Sequence, residues 1–479
     1  MSDIDAYDPE AFRAAGHRLI DGLADHLVRA GGRDCPAISN VAPERMLEEL
    51  PARFPAGPGG DVVMRLLEVV RRSTAVHHPG YVGHQVSTPL PQAALAELTS
   101  ALINNGMAIY EMGQMQTVME RHVVAWMCGV LGFGDGSGGI LTHGGSLGNL
   151  TALLAARQAR AGHDIWTEGT QQPLALLASD QAHYCIDRAA RIMGWGAGGS
   201  IAVPTDGRFR MGIDELERSH RRAVDEGRRV VAVVASCCST ATGSFDPVDA
   251  IADFCAEHDL WLHVDGAHGA SFALSERTRD RLRGVERADS VVWDLHKMMA
   301  LPSLNTAVLF RDGRRSYEAF AQQASYLFDD TDPGSEWFNV GRRTMECTKR
   351  ALGVTAYCML EAYGTAHFAR HVERLMELTH RLEALVVAAA DFELAVEPEA
   401  NILCFRHVPP GFDQDLDGLQ ARIRRRVLDN GRYYLVQTRL RGRLWLRTSL
   451  MNPNTTEDDL EGLLDEIRAT AANRGHRLD

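Results

Sequence analysis

The chain has 479 residues, enough for two or three domains, and its 45% apolar and 24% charged residues match a globular enzyme. A net charge of −13 argues against general nucleic-acid binding, which needs a basic stripe, and against an anionic membrane surface. Nine cysteines with no paired CxxC spacing suit a reducing cytoplasm, and neither a signal sequence, a membrane span nor a metal site is expected.

Taken in chain order, residues 8–30 carry helical periodicity, with Phe12, Leu19, Ile20, Leu23 and Leu27 apolar. Pro51, Pro55 and Pro58, mixed with glycines 57, 59 and 60, make a broken connector. From about residue 90 to 310, short apolar runs alternate with helical patterns. Examples are 174–178, 230–235, 260–264 and 290–293. Runs apolar throughout and separated by helices predict a parallel sheet covered on both faces. A long helical stretch is expected at roughly 346–390, strands at 401–407 and 443–450, and a last helix opening at Thr455-Thr-Glu-Asp-Asp459.

Five segments carry chemistry. Gly138-Gly-Ile-Leu-Thr-His-Gly-Gly-Ser-Leu-Gly-Asn149 runs into a helical segment. Gly144 and Gly145 let backbone approach an anion, Ser146 adds a hydroxyl, and the helix start favours phosphate. It is neither a Walker A loop nor a GxGxxG fingerprint. His183 ends the run beginning at 174, and Thr240 follows the run 230–235. Singly, these are an ordinary half-buried histidine and a turn residue. Asp265 closes Trp261-Leu-His-Val-Asp265, and Lys297 follows Val291-Val-Trp-Asp-Leu-His296. A lone lysine after an apolar run is usually a surface residue. Together, the groups fall where ligands bind in open α/β sheets, beyond the carboxyl ends of strands. A lysine amine and an acid so placed are what pyridoxal phosphate (PLP) requires, one for a Schiff base and one for the pyridinium nitrogen.

The ordered set GGSLGNL (144–150), SDQAH (179–183), ST with SFDP (239–247), HVDGAHG (263–269) and WDLHKMM (293–299) resembles the group II PLP-dependent amino acid decarboxylases. That family includes the glutamate, cysteine sulfinate, aromatic amino acid and diaminobutyrate enzymes. The likeness runs from about residue 75 to the C-terminus. His78-Pro-Gly-Tyr81, Gln85-Val-Ser-Thr88, Tyr110-Glu111, Met119-Glu120 and Gly341-Arg-Arg343 add to it. By position, the resemblance implies that Lys297 carries the Schiff base. His296, Gly144, Gly145 and Ser146 would hold phosphate, and His183 and Ala267 would flank the ring. Asp265 would pair with the ring nitrogen, and Thr240 would support the phenolic side. His183 would join Lys297 and Asp265 in catalysis. Gln85, Thr88, Tyr110 and Arg447 would meet substrate, Arg447 through a carboxylate; a salt bridge is an equal reading of Arg447.

The resemblance also implies an α/β architecture of PLP fold type I, like aspartate aminotransferase: a large, mostly parallel sheet domain plus a small C-terminal α/β domain. The expected division is 1–75 for an N-terminal helical dimerisation segment, 76–345 for the PLP domain and 346–479 for the small domain. A cytoplasmic homodimer with shared active sites is implied, and the matches at 78–120 lean toward a small acidic substrate: aspartate, glutamate or cysteine sulfinate. Three departures stand out. Asp294 replaces the Asn frequent before His-Lys, and His268 stands where Tyr is common. Between Tyr326 and Gly341 there is no further Tyr, where the family usually carries one that returns a proton to the substrate carbon; Trp337 and Phe338 occupy that stretch. His183 or Tyr326 is then the expected donor. The same gap leaves open an oxidative route to an aldehyde; carbon–carbon lyase chemistry and a non-catalytic scaffold are more distant alternatives.

Overall fold

The computed structural model describes residues 6–57, 59–320 and 336–472; Pro58 and Tyr326 lie outside them. The chain forms two compact units, one of Met1–His84, Arg381–Ala395 and Cys404–Asp479, the other of Gln85–His380 and Val396–Leu403.

The larger unit is built on seven strands: β1 (Gly138–Thr142), β2 (Leu174–Ser179), β3 (Ser200–Val203), β4 (Arg229–Ser236), β5 (Trp261–Asp265), β6 (Ser290–Asp294) and β7 (Thr306–Phe310). Their order is β1-β7-β6-β5-β4-β2-β3. β3, β2, β4, β5 and β6 pair in parallel, and β7 runs antiparallel between β6 and β1. The expected mostly parallel sheet is therefore present, and the apolar runs at 174, 230, 260 and 290 each form one strand. Every residue of β2, β5, β6 and β7 is buried, as burial of both faces by helices requires. The helix Gly145–Arg160 packs across β4 to β7. A Cβ on Gly148 would come within 3.2 Å of the Thr306 and Val308 methyls, so this helix packs closely on the sheet and a larger residue would require those side chains to shift.

β1 ends the sheet, and its outer edge would leave backbone groups bare. Buried side chains complete it. Glu120 accepts from Leu141 N–H at 3.0 Å, Lys349 Nζ donates to Leu141 O at 2.6 Å, and Arg343 Nη1 donates to Gly139 O at 3.2 Å. Lys349 also grips both Glu120 oxygens, at 2.6 and 2.7 Å.

The long helix expected from 346 to 390 is two helices, Leu352–Tyr363 and Thr365–Ala388, parted at Gly364, whose φ of +74° suits glycine. The first packs on the helix Gln114–Val130, and the larger compact unit runs on through His380.

The smaller unit holds β8 (Phe392–Leu394), the end of β9 (Ile402–His407), β10 (Val436–Leu440) and β11 (Arg443–Ser449), in the order β10-β11-β9-β8. The helices Leu416–Asn430 and Glu457–Ala472 accompany them. The N-terminal helix Pro9–Gly31 starts on an Asp8 cap with proline at its first position. The segment after it is stitched to the C-terminal part: Ala37 N–H donates to Gly431 O at 2.8 Å, and Arg33 meets Asp459 through two bonds of 2.8 and 2.6 Å. Among the described residues no helix is long and apolar enough to cross a membrane.

Candidate active site

β1 ends at Thr142, and the chain turns through His143 and Gly144 into the helix beginning at Gly145. Gly144 has φ +93°, a conformation that side chains other than glycine rarely adopt. A Cβ on Gly145 would stand 3.2 Å from both carboxylate oxygens of Asp294 and 3.5 Å from Ala267. The turn is thus a bare backbone cradle at a helix start, with Ser146 exposed beside it.

Lys297 follows β6. Its Nζ lies 3.1 Å from Asp294 Oδ2, and Asp294 is 2% exposed. Thr306 Oγ1 donates to the other carboxylate oxygen at 2.6 Å. Burial pushes the Lys297 pKa down, but the Asp294 and Asp265 carboxylates outweigh it, and the net direction is up. His296 Nε2 lies 3.6 Å from Asp294, while its Nδ1 faces the Asn305 backbone at 2.9 Å. Asp265 closes β5, buried, and accepts from Ala267 N–H at 3.2 Å. His183, half-buried past β2, accepts from Cys185 N–H at 3.3 Å. Burial lowers its pKa against the opposing pull of Asp265, so the ring is held neutral. His183 responds to the charges of Asp265, Lys297 and Asp294, which places all four in one locality.

The other expected residues divide. Thr240 is exposed on the turn after β4, beside a hydroxyl chain of Ser239, Thr242 and Ser244. Gln85 and Thr88 flank Ser87, whose hydroxyl donates to His296 O at 3.0 Å, and Leu90 N–H donates to Ala300 O. That strap is tied to the lysine turn. Tyr110 has its N–H donating to Asn339 at 3.1 Å and its ring edge-on to Phe338 at 5.6 Å. Arg447 belongs to the smaller unit, on β11, 5% exposed, with Nη1 3.5 Å from Gly83 O. Tyr326 and residues 327–335 of the proton-donor stretch lie outside the described residues. Trp337 is described, with Arg121 5.1 Å over its ring.

Sequence reasoning did not place Asp294, Thr306 or His263 in the site. Asp294 had a signal, an acid three residues before the lysine. His263 had another: it is two residues before Asp265, hence on the same face of β5. It is fully buried, and burial pushes its pKa down to about 4. Its ring bridges Ser290 Oγ at 2.8 Å and Asn149 Oδ1 at 2.7 Å. The network joins β5, β6 and the helix that starts at the glycine turn.

A cradle that a Cβ would crowd, a lysine among carboxylates and a neutral imidazole form a donor set that fits PLP. Fold and site together define a PLP enzyme of fold type I. Comparison with known proteins carries this further. The family model described as the pyridoxal-dependent decarboxylase conserved domain matches residues 43–408. The chain is 30% identical over 439 residues to the acidic amino acid decarboxylase GADL1 of Bos taurus, covering 88% of this chain and 83% of that protein. It is 25% identical over 478 residues to the aromatic-L-amino-acid decarboxylase of Bacillus atrophaeus, covering 98% of each. A crystal structure of mouse CSAD superposes with a TM-score of 0.90 at 28% identity, over 97% of this chain and all of that one. The chain belongs to the pyridoxal-dependent decarboxylase family. It is a PLP-dependent carboxy-lyase acting on an amino acid.

Proposed function

We propose that the protein decarboxylates a small acidic L-amino acid, aspartate, glutamate or cysteine sulfinate, to its amine. The observation that carries the site assignment is the grouping of Lys297, Asp294, Asp265 and His183 at the carboxyl ends of the parallel strands β6, β5 and β2. When bound, PLP supplies the electron sink for the charge left by the departing carboxylate. The chain's own residues do the rest. Lys297 anchors the cofactor covalently and Asp265 sets a negative charge against its ring nitrogen. Neutral His183 and the Ala267 methyl would flank the ring, and Thr240 would support its phenolic edge. The Gly144-Gly145-Ser146 turn and His296 hold the phosphate.

Substrate recognition is assigned to Gln85 and Thr88 on the strap, to Tyr110 and to Arg447, whose guanidinium suits a carboxylate. The acidic preference is supported by the GADL1 likeness, while the Bacillus likeness supports an aromatic amino acid. Assaying amine and CO₂ from aspartate, glutamate, cysteine sulfinate, tryptophan and tyrosine decides. At least tenfold higher kcat/KM for one acidic substrate is expected; a comparable lead for an aromatic one overturns the assignment.

The protein is further read as a cytoplasmic homodimer with shared active sites. The cysteines form no disulfide among the described residues, and Cys128, Cys185, Cys237 and Cys255 are buried thiols, which supports a reducing compartment. Exposed Leu95, Leu98 and Leu102 on the helix Pro91–Ile103, and Phe12, Ile20 and Val28 on the N-terminal helix, support a second copy as cover. Light scattering that finds a stable monomer of the holoenzyme would refute the dimer.

A further inference from the structure

We propose that Lys297, kept as an ammonium by Asp294, returns the proton to the substrate α-carbon after CO₂ has left. This rests on the decarboxylase reading above and supplies the donor that the Tyr-poor stretch after Tyr326 leaves unassigned.

The Asp294 carboxylate is fixed beside the lysine. Asp294 is 2% exposed and held three ways: Thr306 Oγ1 at 2.6 Å, its own N–H on Ala267 O at 3.0 Å, and the β6–β7 pairing that sets Asp294 opposite Thr306. It cannot swing away from Lys297, whose Nζ is 3.1 Å distant. An asparagine here would accept the same hydrogen bond without the charge. The other groups facing Lys297 are Asp265 on β5, His183 beyond β2, Cys238 beyond β4, and Cys185; His296 adjoins it in sequence. Both carboxylates favour the ammonium. His183 is kept neutral and is the weaker acid in this setting.

The step balances. The entering substrate must lose a proton from its α-ammonium to displace Lys297, and the released lysine takes that proton. When the carboxylate leaves as CO₂, the bonding pair stays with the α-carbon. An N–H bond of the Lys297 ammonium breaks, its electrons remain on nitrogen, and the proton forms the new Cα–H bond. Lys297 is then a neutral amine, the form that can attack and release the product. Asp294 is a positioning residue; Lys297 is the catalytic one.

Two measurements test this. In cofactor-free protein, acylation of Lys297 by acetic anhydride is followed against pH by peptide mass spectrometry. Asp294→Asn is expected to lower the midpoint by a full pH unit or more, giving about tenfold more labelling below it. Thr306→Val, which keeps the carboxylate, should leave it near wild type. In the loaded enzyme, Asp294→Asn should retain the cofactor's visible band, slow amine formation more than tenfold and raise the share of aldehyde. An unmoved Asp294→Asn midpoint, or amine formation in Asp294→Asn within twofold of wild type, overturns the proposal. Wild-type protein that binds no PLP instead sinks the decarboxylase reading; the missing visible band tells the two failures apart.

Discussion

Asp265 and Lys297 are two ionisable residues positioned by different elements. Asp265 is fixed by the end of β5 and by a hydrogen bond from its own turn. Asp265→Asn keeps that shape and removes the charge set against the cofactor ring. We expect kcat to fall by about 100-fold or more, with cofactor retention near normal, because the lost interaction matters most as charge develops. Near-normal kcat would refute the role. Residues of this kind were legible in the sequence because each sits one to four places beyond an apolar run. Thr306 was not. It reaches Asp294 only through strand pairing, and nothing in its own neighbourhood of the sequence announces that partner.

Elements show where local pattern gives way to packing. The strands of the large sheet were legible as uninterrupted apolar runs, whereas the helix break at Gly364 was not, since the helical period continues on both sides of it. The edge of β1 depends on a buried ion pair that no periodicity reveals. Lys349→Met would leave Glu120 buried without its cation, and we expect a loss of about 3–5 kcal/mol in chemical denaturation. Double replacement by Glu120→Leu and Lys349→Met should restore part of it. The bridge from β5 to the phosphate helix titrates as well. His263 has its pKa depressed to about 4, from an ordinary 6.5. Below 6.5 the unfolded chain gains a proton that the folded chain refuses. The stability His263 lends is therefore full above pH 6.5 and is lost as pH falls toward 4, at most about 3 kcal/mol. His263→Gln should flatten the decline of the unfolding midpoint across that window. His371, also depressed to about 4 by burial, keeps its own share. An unchanged slope would count against the network.

At the scale of the whole molecule, the chain visits the smaller unit at both its beginning and its end. The family resemblance implied three successive segments, divided near 75 and 345. By contacts, the helix Leu352–Tyr363 finds its apolar partner on the large unit. Cofactor binding should raise the thermal midpoint of the large unit. PLP at 100 times its Kd contributes about 2.7 kcal/mol, seen as an upward shift of several degrees by calorimetry. Pyridoxal, which lacks the phosphate for the glycine turn, should give a clearly smaller shift; equal shifts would remove that turn from the site.

One strand makes the glycine turn and the lysine turn commensurate. β7 pairs on one side with β1 and on the other with β6, and the same residue, Thr306, faces Thr142 on the first and Asp294 on the second. A single rung of the sheet thus works as a ruler between the glycine turn and the lysine turn, about two strand spacings, or about 10 Å, across. A register slip of one residue in β7 would leave every helix in place and still miscalibrate the site. Substitutions along β7 are therefore where a folded but cofactor-deaf protein would arise.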